Sequence, residues 1–534
     1  MKKRGVSMFP IQIPAFGEGD FFDNRENKAA RVVLIPNAAH ASFVRYCSLL
    51  EESGFVSRQA VDADHRRFAA YEKDGWGVFL NYFANTAQLQ LVMEENTAFF
   101  SYSDTPGEAV TTPRLTQVFL SDYGLSYVIR LADGRLMIID GANVYEKDID
   151  NLFARLKTDS PWEKPVIAAW IFTHPHSDHY FCFFPFMEKY GEEVTIEKFF
   201  FHFPEGGDLA HYPKLAQNAP SFAKWQGVES VTAGEILDRF CREVADLGIP
   251  VYTPHTGQSY QVGEARLQFF ASMDDTIHWS GDINATSLMF TMELGGQKIF
   301  FSADGHYSCA CLAERYGSEL KCDILQVPHH GFGAGSAEAQ IAGFRLMAPD
   351  VCLMPVELDL AYTSFCTYRE GTDYLFSRMP IQEMITGEKE RSLELPYTAD
   401  PAGVLQMRQR YIRGRDDSGA RTWIFTELHT GRREDFVFSV LNTTYVNAEL
   451  TVELYFEDMQ KKIIRIRNKG LRLGVFRLNC LLHPEEDQSA FDAPDFLESR
   501  GVPENTYFAV RFISDLPVVI SHRDHKPAYR SGVV

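Results

Sequence analysis

The densest group of potentially reactive side chains lies at residues 174–179, here called the HxHxDH loop. Three histidines and one aspartate fall within these six residues: His174, His176, Asp178 and His179. Imidazole and carboxylate groups are the ligands that borderline divalent metals such as zinc prefer. Pro175 and Ser177 favour a turn over a helix, so alternate side chains can converge. The spacing therefore predicts a metal site on a loop.

Further polar side chains follow short apolar segments elsewhere in the chain. They are Asp140 after Leu136–Ile139, Asp304 after Ile299–Ala303, and His329 and His330 after Asp323–Pro328. Ligands of open α/β sheets gather beyond the carboxyl ends of the strands. We therefore expect these side chains to meet the HxHxDH loop at one rim and to form a single site for more than one metal ion.

The elements that must position these residues are visible as alternating patterns. The apolar run Val166–Phe172 predicts a buried strand leading into the HxHxDH loop. Asp133-Gly134 predicts a hairpin turn before it. A helical face is predicted by the spacing of Ile149, Leu152, Phe153 and Leu156. Later strand-like runs are Lys298–Ser302, Asp323–Val327 and Val351–Val356. The central segment is therefore predicted to be an α/β domain.

Both flanks of this segment have a different character. The first ~110 residues predict a small α+β unit, with a helix ending near Gly54. Residues 398–422 are polar and turn-rich, which is typical of a linker or a flanking loop. Beyond them apolar residues alternate strictly with arginines, as Ile464 and Ile466 do with Arg465 and Arg467, which predicts an all-β sandwich. We predict three domains, at residues 1–112, 113–415 and 420–534.

Composition narrows the possible functions. The 534 residues contain 52 Lys+Arg and 72 Asp+Glu, a formal net charge of −20, which disfavours binding of long nucleic acids. No apolar run approaches the ~20 residues needed to cross a bilayer, so no membrane partner is expected. The nine cysteines are scattered, without a CxxC pair, which favours reduced thiols and a cytoplasmic location.

The order of the motifs resembles the metallo-β-lactamase superfamily. It runs Asp140-Gly, the HxHxDH loop, Ser-Ala-Asp304-Gly and Pro-His329-His330-Gly, within about residues 115–391. The segment beginning Asn284-Ala-Thr-Ser-Leu-Met-Phe resembles the competence-protein branch, and bacterial phosphorylcholine esterases are similar as well. The resemblance implies an αββα sandwich that binds two divalent metal ions, with zinc as first choice and manganese or iron as alternatives.

The resemblance also implies roles for individual residues. The first ion is expected on His174 and His176 and the second on Asp178 and His179. Asp304 is expected to bridge them, and His329 or His330 to complete the set. Asp140 is expected to support the ligand loop rather than to bind metal. The predicted catalytic residues are Asp178, Asp304 and His330.

Two departures from the family pattern stand out. Asn284 occupies the place where many members have a separate ligand histidine, for which His202, His255 and His278 are candidate replacements. The glycines that usually follow the HxHxDH loop are replaced by Tyr180-Phe-Cys-Phe-Phe184, which predicts a bulky aromatic pocket wall.

A reaction follows from this ligand set. Two divalent ions would activate a shared water as hydroxide and polarise the scissile group. The leaving group would be protonated by water, by the non-ligand histidine of the His329-His330 pair, or by His306. We therefore expect a metallo-β-lactamase-fold hydrolase acting on a small molecule, either a phosphodiester or another ester.

The C-terminal segment carries a second resemblance. Trp423-Ile-Phe, Phe438-Ser-Val-Leu-Asn-Thr and the runs 449–458 and 507–522 resemble the sensory rhodopsin transducer family. This implies a β-sandwich that oligomerises and binds small molecules such as sugars, and hence a homo-oligomer. The alternative function is a non-catalytic, metal-containing sensor or sugar-binding protein that acts through this C-terminal sandwich.

Overall fold

The computed structural model describes most of the chain and divides it into two compact units. The described residues are 13–16, 22–23, 30–95, 103–122, 124–204, 212–275, 281–333, 335–356, 374–375, 379–400, 420–429, 435–457, 460–477 and 506–525. One unit comprises Met1–Thr372 and Pro380–Met407, and the other Asp373–Met379 and Arg408–Val534. Most of the predicted linker, residues 401–419, lies outside the described residues, and the boundary near residue 112 stays a prediction. Within the described ranges, no helix combines the length and the apolar character needed to span a membrane.

The N-terminal part of the first unit is an antiparallel sheet of six strands with one helix. The strands are β1 (Phe22–Asp23), β2 (Ala30–Ile35), β3 (Val56–Asp62), β4 (Arg66–Lys73), β5 (Trp76–Phe83) and β6 (Gln88–Glu95), in the order β1-β2-β6-β5-β4-β3. Helix α1 (His40–Glu52) ends just before Gly54, as its sequence pattern predicts. Phe43, Tyr46 and Leu50 of α1 pack on apolar side chains of the sheet, so this part of the chain has its own core.

Two sheets packed face to face form the rest of the first unit. The first contains β7 (Arg114–Gln117), β8 (Ser126–Arg130), β9 (Leu136–Asp140), β10 (Val166–Ile171), β11 (Thr195–Ile196), β12 (Phe199–Phe200), β13 (Val251–Tyr252) and β21 (Arg391–Glu394). Its order is β13-β12-β10-β9-β8-β7-β21, with β11 beside β10. Strands β9, β10, β12 and β13 run parallel, so their carboxyl ends meet at one edge.

The second sheet has seven strands. They are β14 (Ser259–Val262), β15 (Ala265–Ala271), β16 (Met289–Leu294), β17 (Gln297–Phe301), β18 (Ile324–Gln326), β19 (Val351–Leu353) and β20 (Glu383–Ile385), in chain order across the sheet. Strands β17 to β20 are parallel. Ile129 and Ile139 of the first sheet share one buried core with Phe290 and Phe301 of the second.

Helices flank these sheets, and one of them, Ser177–Tyr180, is a single turn that begins within the HxHxDH loop, where a turn rather than a helix was predicted. They are α2 (Glu146–Asp159), α3 (Ser177–Tyr180), α4 (Phe183–Tyr190), α5 (Pro220–Gln226), α6 (Ala233–Asp246), α7 (Leu312–Tyr316) and α8 (Ala337–Met347). Ile149, Leu152 and Leu156 turn the predicted face of α2 onto the first sheet. The unit thus contains the α/β architecture and the αββα layers expected from the sequence.

The aromatic run after the HxHxDH loop does not line a pocket. Tyr180, Phe183 and Phe184 are at most 2% exposed, and all three pack edge-on against Phe240 of α6. The predicted aromatic pocket wall is therefore wrong. These rings fill the apolar space between the first sheet and its helices, where their burial anchors the loop from below.

The described part of the second unit is all β. Its strands are β22 (Ala420–His429), β23 (Asp435–Asn442), β24 (Ala448–Phe456), β25 (Lys461–Asn468), β26 (Arg472–Arg477) and β27 (Tyr507–His525). The long β27 pairs with β22 and β24 along its first half and with β23 along its second half. Ile464 and Ile466 point into a core with Phe438 and Phe512, as the alternation predicts.

Candidate metal centre

The structure brings the predicted polar residues to one edge of the paired sheets. Asp140 ends β9 and the HxHxDH loop follows the neighbouring parallel strand β10. In the opposite sheet, Asp304 follows β17 and the residues 329–330 follow its parallel neighbour β18. Two pairs of adjacent parallel strands therefore deliver their loops to a common rim, as the sequence indicates.

Six of these side chains form two donor groups that share one residue. The first group is His174, His176 and Asp304, and the second is Asp178, His179, Asp304 and His330, with the donor atoms of each group within 4.8 Å of one another. His174 Nε2 lies 3.7 Å and His179 Nε2 lies 3.3 Å from Asp304 Oδ2. Asp304 is thus the residue common to both donor groups, the place that the resemblance implies for a bridging ligand.

The side chains of the two donor groups are buried, and several of their nitrogen and oxygen atoms lack a hydrogen-bond partner in the part of the chain that the structure describes. His174 and His179 are fully buried and Asp304 is 1% exposed. Yet the Nε2 atoms of His174 and His179, and Oδ1 of Asp304, have no hydrogen-bond partner among the described residues. Buried polar atoms are almost always satisfied. A cation site requires several nitrogen or oxygen atoms that lie close together and have no hydrogen-bond partner. These residues therefore fit a metal ion.

The imidazoles of the site differ in the direction of their pKa shifts. Burial lowers the pKa of His176 to about 4 and holds that of His174 well below its ordinary value. Both rings are therefore neutral near pH 7, the form that binds metal. Burial also opposes protonation of His330, but Asp304 and Asp178 together outweigh it and raise the pKa to about 9. The carboxylates thus favour positive charge at the second group.

Asp140 supports the ligands without belonging to either donor group. Its Oδ1 accepts a hydrogen bond from the Thr173 backbone N–H at 2.7 Å, and its Oδ2 accepts one from Thr173 Oγ1 at 2.7 Å. His179 Nδ1 also donates to Asp140 Oδ2, at 2.8 Å. With its Nδ1 proton held by Asp140, a neutral His179 has its lone pair on Nε2, toward Asp178 and Asp304. Thr173 is a functional residue that the sequence analysis missed, although it directly precedes the HxHxDH loop.

Only one of the two consecutive histidines enters a donor group. His330 is 1% exposed, and its Nε2 lies 3.1 Å from Asp178 Oδ2 and 3.5 Å from Asp304 Oδ1. The side chain of His329 is 27% exposed, and its Nε2 is 3.8 Å from Asp304 Oδ2. His329 Nδ1 donates to the carbonyl of Gly333 at 3.0 Å. The structure thus places His329 beside the two groups.

The remaining candidates lie around the site or away from it. Asn284 is 2% exposed, and its Nδ2 is 3.4 Å from His329 Nε2. His306 is in neither group and places its Nε2 3.4 Å from Asp282 Oδ2. His202 and His255 form a separate cluster, described below, and His278 lies outside the described residues.

Comparison with known proteins agrees with this arrangement. Residues 121–338 match the family model of the metallo-beta-lactamase superfamily, so this part of the chain is a domain of that superfamily. The match includes every residue of both donor groups.

Solved structures that are similar to this chain share little sequence identity with it. A flavo di-iron protein from Thermotoga maritima is 11% identical, with 68% of this chain and 63% of that chain covered and a TM-score of 0.21. The Anabaena sensory rhodopsin transducer is 19% identical, with 20% of this chain and 92% of that chain covered and a TM-score of 0.16. No curated protein matches the sequence significantly.

Proposed function

We propose that this chain is a metal-dependent hydrolase of a small phosphodiester or another ester. Members of the superfamily to which residues 121–338 belong are generally metal-dependent hydrolases, although some are not catalytic. The observation that carries the proposal is the pair of donor groups joined at Asp304. A structural metal site is normally closed around one ion by four protein ligands. Two groups that share a carboxylate are typical of two-metal hydrolytic centres.

The residues that would hold the ions follow from the two groups. His174, His176 and Asp304 would bind one, and Asp178, His179, His330 and Asp304 the other. Their imidazole and carboxylate donors suit zinc first, with manganese and iron as alternatives. When bound, two divalent cations would lower the pKa of an attacking water and polarise the scissile bond.

The chain's own residues would orient the ligands and move a proton. Asp140 holds His179 in the tautomer with its lone pair on Nε2. We assign protonation of the leaving group to His329, which is partly exposed beside the donor groups. Since its Nδ1 proton is engaged by Gly333, the transferred proton would come from Nε2. Asn284 Nδ2, 3.4 Å from that atom, would donate to its lone pair once the proton has been transferred.

Charge supports a small substrate. The chain has a formal net charge of −20, so a long polyanion is repelled by the surface as a whole. A compact phosphodiester needs attraction only at the cation centre. We also propose a cytoplasmic location, because the scattered cysteines favour reduced thiols, and self-association, because the C-terminal segment resembles a family that oligomerises.

Removal and return of metal tests the proposal directly. Purified protein should hydrolyse bis-nitrophenyl phosphate above background, lose at least about tenfold of that rate after chelation, and recover it when zinc, manganese or iron is added back. The measurement is nitrophenol release alongside metal content. Metal that is retained without turnover of any diester, ester, lactam or thioester would contradict the proposal and favour the sensor alternative.

A matched pair of variants separates the consecutive histidines. His330→Ala removes a buried donor of the second group, so we expect metal affinity to fall at least about tenfold, a change of about 1.4 kcal/mol. His329→Ala should change metal affinity less than about threefold but lower the rate, because only proton transfer is affected. Equilibrium metal titration and steady-state kinetics check both variants. If His329→Ala were the variant that loses metal, the assignment of His330 to the second group would be incorrect.

A further inference from the structure

A second group of potential metal ligands lies away from Asp304. His202, His255 and Asp274 place donor atoms within 4.8 Å of one another, and Glu94 contacts His255 from the N-terminal sheet. We call these four residues the His202–His255 cluster. His202 and His255 follow the parallel neighbours β12 and β13, Asp274 follows β15, and Glu94 lies in β6. Three sheets thus contribute side chains to this cluster.

Hydrogen bonds orient both imidazoles of this cluster. His202 Nδ1 donates to the carbonyl of Pro254 at 3.1 Å, so the lone pair of a neutral His202 is on Nε2. His255 Nδ1 is 2.8 Å from Asp274 Oδ2, and His255 Nε2 is 2.5 Å from Glu94 Oε2. The two rings lie 5.1 Å apart between centroids. A carbonyl or carboxylate on one ring nitrogen is the usual support of a histidine that binds metal through the other.

Burial makes the charge of the cluster costly. Asp274 is fully buried, His255 and His202 are 1% and 5% exposed, and the Glu94 side chain is 16% exposed. The adjacent Asp275 already has a partner, since Arg315 Nη1 lies 2.6 Å from its Oδ1. Two carboxylates therefore contact His255, one at each ring nitrogen. Buried charges are stable only when they are paired or bind a metal, and a cation among these side chains would meet that requirement.

We propose that His202, His255 and Asp274 bind a third divalent cation, beside Glu94 of the N-terminal sheet. Two imidazoles and one carboxylate suit zinc or a neighbouring first-row metal, and Glu94 would hold His255 through Nε2 while Nδ1 faces Asp274. The same contact region contains two further links: Asn81 Nδ2 donates to the carbonyl of Thr256 at 2.7 Å, and Gln90 Nε2 donates to Asp275 Oδ1 at 2.9 Å. By fixing His255, the cation would strengthen the contact of this ring with Glu94 of the N-terminal sheet.

Metal counting on the full chain tests this site. Zinc-loaded, desalted protein should contain three ions per chain, and His202→Gln should contain two while its hydrolysis of bis-nitrophenyl phosphate is retained. The double variant His174→Ala/Asp304→Ala should keep one ion, and addition of His202→Gln should remove it. Loss of that last ion should lower the melting temperature by at least about 3 °C, because a ligand that binds only the folded chain stabilises it. Elemental analysis and calorimetry provide the readouts.

A histidine outside the cluster provides the control for the ion count. His40→Gln changes an exposed histidine at the start of α1 and should leave the ion count unchanged. A wild-type count that His202→Gln does not lower, together with no ion in the double variant, would overturn the proposal. The cluster would then be an ion pair of protonated His255 with its carboxylates. Absence of hydrolysis with one ion that depends on His202 would instead contradict only the proposed hydrolase.

Discussion

Asp304→Asn is expected to lower hydrolysis by at least about 10³-fold, equivalent to about 4 kcal/mol of transition-state stabilisation. Asp304 belongs to both donor groups, and both of its carboxylate oxygens face their histidines. Asparagine has nearly the same volume but carries no charge and only one acceptor oxygen. The variant should therefore lose ions from both groups while the surrounding core is kept.

The measurement combines metal content with the rate on bis-nitrophenyl phosphate. Asp150→Asn is a matched control, since Asp150 is a half-exposed carboxylate of α2 paired with Lys189 at 2.7 Å. It should retain both metal and activity. An Asp304→Asn protein that kept a tenth or more of the wild-type rate would show that Asp304 does not bridge the ions.

The part of the site that could be predicted from sequence is the part encoded in local pattern. Buried parallel strands appear as short apolar runs, and the polar residues that end such runs share a rim. Asp140, the HxHxDH loop and Asp304 each follow such a run. Their meeting at one edge therefore follows from chain order and strand direction alone.

The choice between His329 and His330 could not be made in the same way. Both residues have φ of +52° in an irregular turn, so neither helical nor strand periodicity gives the direction of their side chains. His329 is instead set by tertiary contacts, because its backbone N–H donates to the carbonyl of Ala303 and its ring donates to Gly333. The contact with Ala303 requires the neighbouring strand β17 to be in place.

Two other features depend on contacts between distant segments. The aromatic run after the HxHxDH loop is directed inward by packing against α6, more than 50 positions later in the chain. The His202–His255 cluster joins residues from 94 to 274. His202 and His255 were predicted only as replacements for a missing ligand, because the sequence does not reveal that Glu94 lies beside them.

Asp140→Asn should lower metal affinity by about 10- to 100-fold while it changes stability much less than Asp140→Ala. In the wild type, Asp140 Oδ2 accepts the Nδ1 proton of His179. An amide NH₂ at that place would meet the Nδ1–H group of the ring. The proton of His179 would then move to Nε2, which is the atom that faces Asp178 and Asp304. A ligand nitrogen that carries a proton cannot bind metal.

Asp140→Ala should add a loss of stability that the asparagine variant avoids. It leaves three buried donors without an acceptor: Thr173 N–H, Thr173 Oγ1–H and His179 Nδ1–H. At about 1–3 kcal/mol for each of the three unsatisfied groups, the free energy of unfolding should fall by about 3–9 kcal/mol. Asp140 also has φ of +54°, a backbone conformation that asparagine tolerates better than alanine. Denaturant unfolding of metal-free protein, alongside zinc titration, separates the two effects. Equal metal affinity in Asp140→Asn and wild type would show that Asp140 does not set the tautomer of His179, and the orientation of the second donor group would need another cause.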